Sequence, residues 1–120
     1  MKYLYLIYED RKLGATLPKE QIEKAMKEYQ AFDESLKQTG HFVSANMLDT
    51  NTIKTIQGEG GRPSAKDGAF TNMKEQLGGY YVVEAKDLNE AVKLAERIPS
   101  AKWGAVEVRP IDEHHHPSKN

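Results

Sequence analysis

The stretch YYVVEAKDLNEAVKLAERIP, residues 80 to 99, carries two periodicities in succession. Tyr80 to Ala85 is rich in aromatic and β-branched residues, and its length is that of a strand. Asp87 with Glu90 three residues on resembles a capping box, with Asp in the place of Ser or Thr. Leu88, Ala91, Val92, Ala95 and Ile98 then recur at helical spacing. Pro99 predicts the end of that helix near Arg97. Beyond it, Trp103 to Pro110 alternates as a closing strand. Residues 80 to 110 thus read as one β-α-β unit.

The N-terminal half has the same order. Lys2 to Tyr8 reads as a strand, and the charged stretch from Glu9 to Leu17 as a connection. The Leu17-Pro18 step predicts a helix start, because proline restricts the residue before it and fits a first helical turn. Ile22, Ala25, Met26, Tyr29, Phe32 and Leu36 form its apolar stripe, and Gly40 caps its end. His41 to Leu48 and Thr52 to Gln57 read as strands. Gly58 to Gly61 is a turn into Arg62 to Lys66, where Pro63 limits pairing to an edge or bulge. Asp67 to Leu77 is the least regular segment.

The order β-α-β, inserted hairpin, β-α-β predicts an α+β, ferredoxin-like fold: a mostly antiparallel sheet with both helices on one face. Tyr3, Tyr5, Ile7, Tyr81, Val83, Val106 and Val108 are read as alternating across both sides, which leaves an apolar face. A homodimer packed sheet to sheet as an α/β barrel is therefore expected.

With 120 residues and 13.6 kDa the chain suits one domain, here residues 1 to 111, followed by a flexible histidine-containing tail over 112 to 120. The absence of cysteine excludes disulfides, a thiolate nucleophile, iron–sulfur clusters and Cys-ligated zinc. Seventeen basic residues against 18 acidic ones, spread evenly, argue against a nucleic-acid partner. The apolar run at the N-terminus is too short for a membrane span and lacks a cleavage site, so a soluble cytoplasmic protein is expected. Gly58, Gly60 and Gly61 form no P-loop, since no G-K-[ST] follows. His114, His115 and His116 are consecutive and cannot readily converge on one ion. No metal and no cofactor is expected, and His41 reads as structural.

Asp67-Gly68-Ala69-Phe70 followed by Thr71-Asn72-Met73-Lys74-Glu75-Gln76-Leu77-Gly78-Gly79-Tyr80 resembles the DGPF branch of the YCII-related family. Trp103 to Pro110 is similar to the family's ending and Met1 to Tyr8 to its opening strand. Ala69 replaces the proline of D-G-P-F, and Asn72-Met73 lengthen the spacer. The resemblance implies a dimeric ferredoxin-like α/β barrel. The wider family includes a small-molecule lyase-type enzyme, for which a His–Asp pair is proposed as the active site. That histidine position falls on Tyr29. A phenol with an ordinary pKa near 10 is no neutral-pH base unless strongly perturbed, so the dyad does not carry over.

The candidate site is accordingly read around the Asp67 loop. Asp-Gly pairs are favoured in turns for conformational reasons alone. The functional reading is that the Asp67 carboxylate faces a hollow shared with Tyr29, as base or ligand for a substrate hydroxyl, these two being the catalytic candidates. Lys74 and Glu75 are either solvated charges or the frame of that pocket, with Lys74 holding an anionic group. Glu107 and Arg109 share one face of the last strand, opposite Val106 and Val108; they form an ion pair, or Arg109 forks a carboxylate. Tyr80 is sheet packing or a hydroxyl offered to a ligand. No serine sits in a nucleophile elbow. The expected function is binding of a small polar or anionic organic molecule, with acid–base chemistry of the lyase or isomerase kind. The alternative is a non-catalytic interaction module accessory to a sigma factor, which the resemblance implies because DGPF relatives often accompany such factors.

Overall fold

The computed structural model describes residues 1–71 and 73–113. Strand β1 (Lys2–Asp10) is followed by helices α1 (Arg11–Ala15) and α2 (Lys19–Gln38), then β2 (Phe42–Met47) and the hairpin β3 (Lys54–Glu59) and β4 (Arg62–Asp67). Strand β5 (Glu75–Glu84), helix α3 (Leu88–Ala95), a 3₁₀ turn (Pro99–Lys102) and β6 (Ala105–Pro110) complete the chain. The main sheet runs β2-β5-β1-β6 with antiparallel neighbours throughout, the ferredoxin-like order. The hairpin is a separate two-stranded sheet. No described helix is long and apolar enough to cross a membrane.

The expected elements are present with shifted ends. The Glu9–Leu17 connection contains an extra element: β1 continues to Asp10, whose carboxylate accepts the backbone N–H groups of Lys12 (3.0 Å) and Leu13 (3.3 Å) and so starts α1. A five-residue helix is too short to leave a periodic signature. Helix α3 starts where its cap predicts: Asp87 accepts from the Glu90 N–H at 2.9 Å, while the Glu90 carboxylate reaches back to the Lys86 N–H at 3.0 Å. Strand β5 starts earlier than expected and accommodates a bulge opposite Ile7 and Tyr8. The hairpin turn is two residues, Gly60 and Gly61, both at positive φ, the geometry that matches the right-handed twist of its strands.

Alternation along the strands decides what is inside. Tyr3, Tyr5 and Ile7 from β1 and Tyr81 and Val83 from β5 all face the helices, where they bury against Phe32, Leu36, Ala91, Ala95 and Ile98. Tyr5 stands opposite Tyr81 and Val108, and Ile7 opposite Val106, so these residues do not divide between the two faces as expected. The face without helices is made instead by Leu4, Leu6, Tyr8, Tyr80 and Val82, all half-buried.

Burying phenols in a core obliges each hydroxyl to find a partner. Tyr5 donates to the Ala91 carbonyl at 2.6 Å, tying β1 to α3, and Tyr81 donates to Asp33 on α2. Burial, reinforced by the negative charge of Glu90 near Tyr5 and by the Asp33 hydrogen bond to Tyr81, pushes both hydroxyls well above their ordinary range.

Two expectations follow. An unfolded tyrosine ionises near pH 10 while Tyr5 and Tyr81 hold their protons in the fold. Stability is therefore complete below pH 10 and falls as pH rises above it towards the folded values. The urea midpoint should drop between about pH 8 and about pH 11, with late-titrating tyrosines in the 295 nm absorbance; a constant midpoint would contradict this. Second, a Cβ on Gly104 would lie 2.2 Å from the Tyr8 carbonyl oxygen, whereas one on Gly14 meets nothing within 4 Å. Gly104→Ala should cost about 2 to 3 kcal/mol in denaturant unfolding, and Gly14→Ala should gain up to about 1 kcal/mol.

Candidate functional site

Tyr29 and Asp33 lie one turn apart on α2 and so share a side of the helix. With Ile7, Ala45, Met47 and Tyr81 they surround a recess of ≈ 200 Å³ between α2 and the sheet. Its floor is opened by Gly79, which occupies an inward-facing position of β5 without contributing a side chain. Gly79 is buried, and a Cβ there would stand 3.1 Å from the Asn46 carbonyl oxygen.

The polar groups at the recess are wired to carboxylates. The Tyr29 hydroxyl is hydrogen-bonded to Ser100 Oγ, and Ser100, 0% exposed, donates to Glu9 at the end of β1. A serine has one proton to give, so with Glu9 receiving it the Tyr29 hydroxyl is the donor to Ser100. Burial raises the Tyr29 pKa, and the charges of Glu9 and Asp33 push the same way against the hydrogen bond to Ser100. Tyr29 is thus a neutral phenol at neutral pH, aimed along Tyr29–Ser100–Glu9. Beside it, Asp33 Oδ1 accepts from Tyr81. The arrangement offers one phenol and one carboxylate on the same side of a small, partly apolar hollow.

Of the candidate site residues read from the sequence, only Tyr29 turns its side chain into this hollow. Asp67 does not share it: its carboxylate is 84% exposed and pairs with Lys54 across the hairpin. The β3–β4 register sets Lys54 opposite Asp67, and this pins the acidic side chain to its own hairpin. Lys74 lies 3.6 Å from Asp10 Oδ2, at a polar depression bordered also by Arg11 and Lys12. Glu75 stands opposite Asp10 in the β1–β5 ladder. Arg109 pairs with Glu107 on its own strand at 3.0 Å, on the face without helices. Tyr80 borders the recess, but alternation turns its ring away from the Tyr81 side, and its hydroxyl accepts from Asn46 at 2.8 Å.

The sequence reading missed Asp33, Ser100 and Glu9. Asp33 was within reach of it, since four residues from Tyr29 on a helix is one turn. Ser100 and Glu9 are 91 residues apart and meet only through the fold. His41 is structural, as expected: it bonds Thr39 Oγ1 at 2.6 Å and Glu90 at 3.3 Å, joining the end of α2 to α3. Among the described residues no group of three His, Asp or Glu side chains is placed to hold a metal ion. His114 to His116 lie outside the described residues.

Comparison with known proteins agrees with this topology. A solved structure, 5-chloro-2-hydroxyhydroquinone dehydrochlorinase (TftG) from Burkholderia phenoliruptrix AC1100 in complex with 2,5-dihydroxybenzoquinone, superposes with a TM-score of 0.50. That alignment covers 100% of this chain and 99% of the other at 17% identity, a likeness of fold. An uncharacterized protein of Rhizobium meliloti (strain 1021) is 30% identical over 114 residues, covering 92% of both chains. The profile of the YCII-related domain matches residues 1–115, and the chain therefore belongs to the YCII-related family.

Proposed function

We propose that this protein binds a small hydroxylated ring compound in the recess beneath α2 and moves a proton on it, as a lyase- or isomerase-type enzyme. The observation that carries this reading is the Tyr29–Ser100–Glu9 line of hydrogen bonds. A phenol with a raised pKa is a poor base by itself. Here a ligand hydroxyl can give its proton to Tyr29 while Tyr29 passes its own to Ser100 and Ser100 passes one to Glu9. Each of the two hydroxyls gains one proton and loses one, the ligand becomes the anion, Glu9 becomes the acid, and no phenolate need accumulate. Asp33, one turn along α2 on the same side of the recess, serves as a second acceptor.

Size and chemistry support a single ring. An apolar cavity of about 150 Å³ holds one benzene, so a recess of ≈ 200 Å³ has room for a ring with its oxygen substituents. The TftG structure was determined with a dihydroxybenzoquinone, an example of such a ring on this fold. Calorimetric titration with 2,5-dihydroxybenzoquinone and with hydroxybenzoates is the direct test. At least one should bind, and Tyr29→Phe should weaken it about tenfold, or ~1.4 kcal/mol. Asp67→Asn, on the exposed hairpin, should leave binding unchanged. The reading is wrong if neither class of ring binds, or if Tyr29→Phe binds as tightly as the wild type.

The functional unit in this proposal is a homodimer that packs sheet to sheet as an α/β barrel. Leu4, Leu6, Tyr8, Tyr80 and Val82 form a continuous apolar surface with no helix over it, rimmed by the Glu107–Arg109 pair. Light scattering should give twice the 13.6 kDa chain mass, and Leu6→Glu should shift it to the single-chain value. A wild-type mass of one chain would rule the dimer out.

A further inference from the structure

A second hollow, of ≈ 310 Å³, opens where α1, the first half of α2 and the 3₁₀ turn meet, and it shares no residue with the Tyr29 recess. Its walls are Leu13, Leu17, Ala25 and Trp103. Leu13 is 44% exposed and Trp103 38%, so two large apolar side chains present themselves to solvent across one depression. No residue in the first half of α2 is buried, and of its apolar stripe Ala25 lines this hollow while Ile22 and Met26 are exposed.

The rim is charged with one predominant sign. Lys24 and Lys102 both border it, against the single carboxylate of Glu28. Glu28 lies 3.5 Å from Lys102, and Lys24 has no ion-pair partner among the described residues. The hollow therefore combines an apolar, aromatic-walled body with a net charge of one positive at its lip. A monoanion with a flat apolar body matches both properties: the rings cover Trp103 and Leu13, and the carboxylate balances the net positive charge of the rim.

We propose that this groove is a binding site for an aromatic carboxylate of two rings, separate from the recess that holds Tyr29. The volume is about twice the 150 Å³ that accommodates one benzene. Two ammonium groups without an arginine fork suit a single carboxylate approached as a point charge. Because Ser100, which Tyr29 bonds, lies in the 3₁₀ turn and Trp103 caps the end of that turn, occupancy here touches the element that supports the other site.

Trp103 is the chain's single tryptophan, so the groove contains its own reporter. The experiment titrates the full chain with biphenyl-4-carboxylate and, in parallel, with the neutral biphenyl-4-methanol, following Trp103 emission and binding heat. The acid should produce a saturable emission change at one molecule per chain, and the alcohol should bind about tenfold more weakly. Lys24→Glu and Lys102→Glu, both surface changes, should each weaken the acid about tenfold, and Leu13→Glu should abolish the response. Tyr29→Phe should leave it intact. The proposal is overturned by an emission change that does not saturate, by equal binding of acid and alcohol, by charge reversals without effect, or by loss of binding in Tyr29→Phe.

Discussion

The antiparallel pairing of β1 with β5 is the constraint on which the remaining structure depends. It sets Tyr3 opposite Val83 and Tyr5 opposite Tyr81, and so collects the phenols on one face of the sheet. Slipping that register by one residue would exchange every inward side chain for its outward neighbour. The buried hydroxyls make such a slip costly beyond the loss of packing. Tyr5 and Tyr81 hold their partners, the Ala91 carbonyl and Asp33, only in this register, and an unpaired hydroxyl in a core costs about 1 to 3 kcal/mol.

The same pairing builds the recess. Gly79, Tyr81 and Val83 follow one another on the helix-facing side of β5, and the missing side chain at Gly79 leaves space that Tyr29 and Asp33 overlook from α2. Because β1 ends beside the 3₁₀ turn, Glu9 comes within reach of Ser100, and the Tyr29 phenol acquires a route to a carboxylate. Packing and chemistry are here one set of contacts: the bonds that satisfy half-buried polar groups are those along which a proton can travel.

Much of the architecture is legible in the chain because its signals are local. The Asp87 cap, the helical spacing from Ile22 to Leu36 and the strand at Tyr80 are properties of a few consecutive residues, and each reappears in the structure. Helix α1 was hidden because one turn and a half shows no period, although the Asp10 cap that starts it is a recognisable signal. The site was read less well. Tyr29 reaches the recess, but Asp67, singled out by its motif, sits on a hairpin whose own register gives its carboxylate to Lys54. An Asp-Gly step specifies a turn and is silent about what that turn faces.

By itself the amino-acid sequence determined the order of the strands and of the two longer helices and where those helices start, since period, cap and breaker act over distances of a turn or less. Which phenol meets which carboxylate was decided only by the tertiary structure. Glu9, Tyr29 and Ser100 lie on three separate elements, and Tyr81 meets Asp33 across 48 positions. Contacts of that range exist only after strand register and helix docking have set side-chain positions to within an ångström or so, the tolerance a hydrogen bond demands.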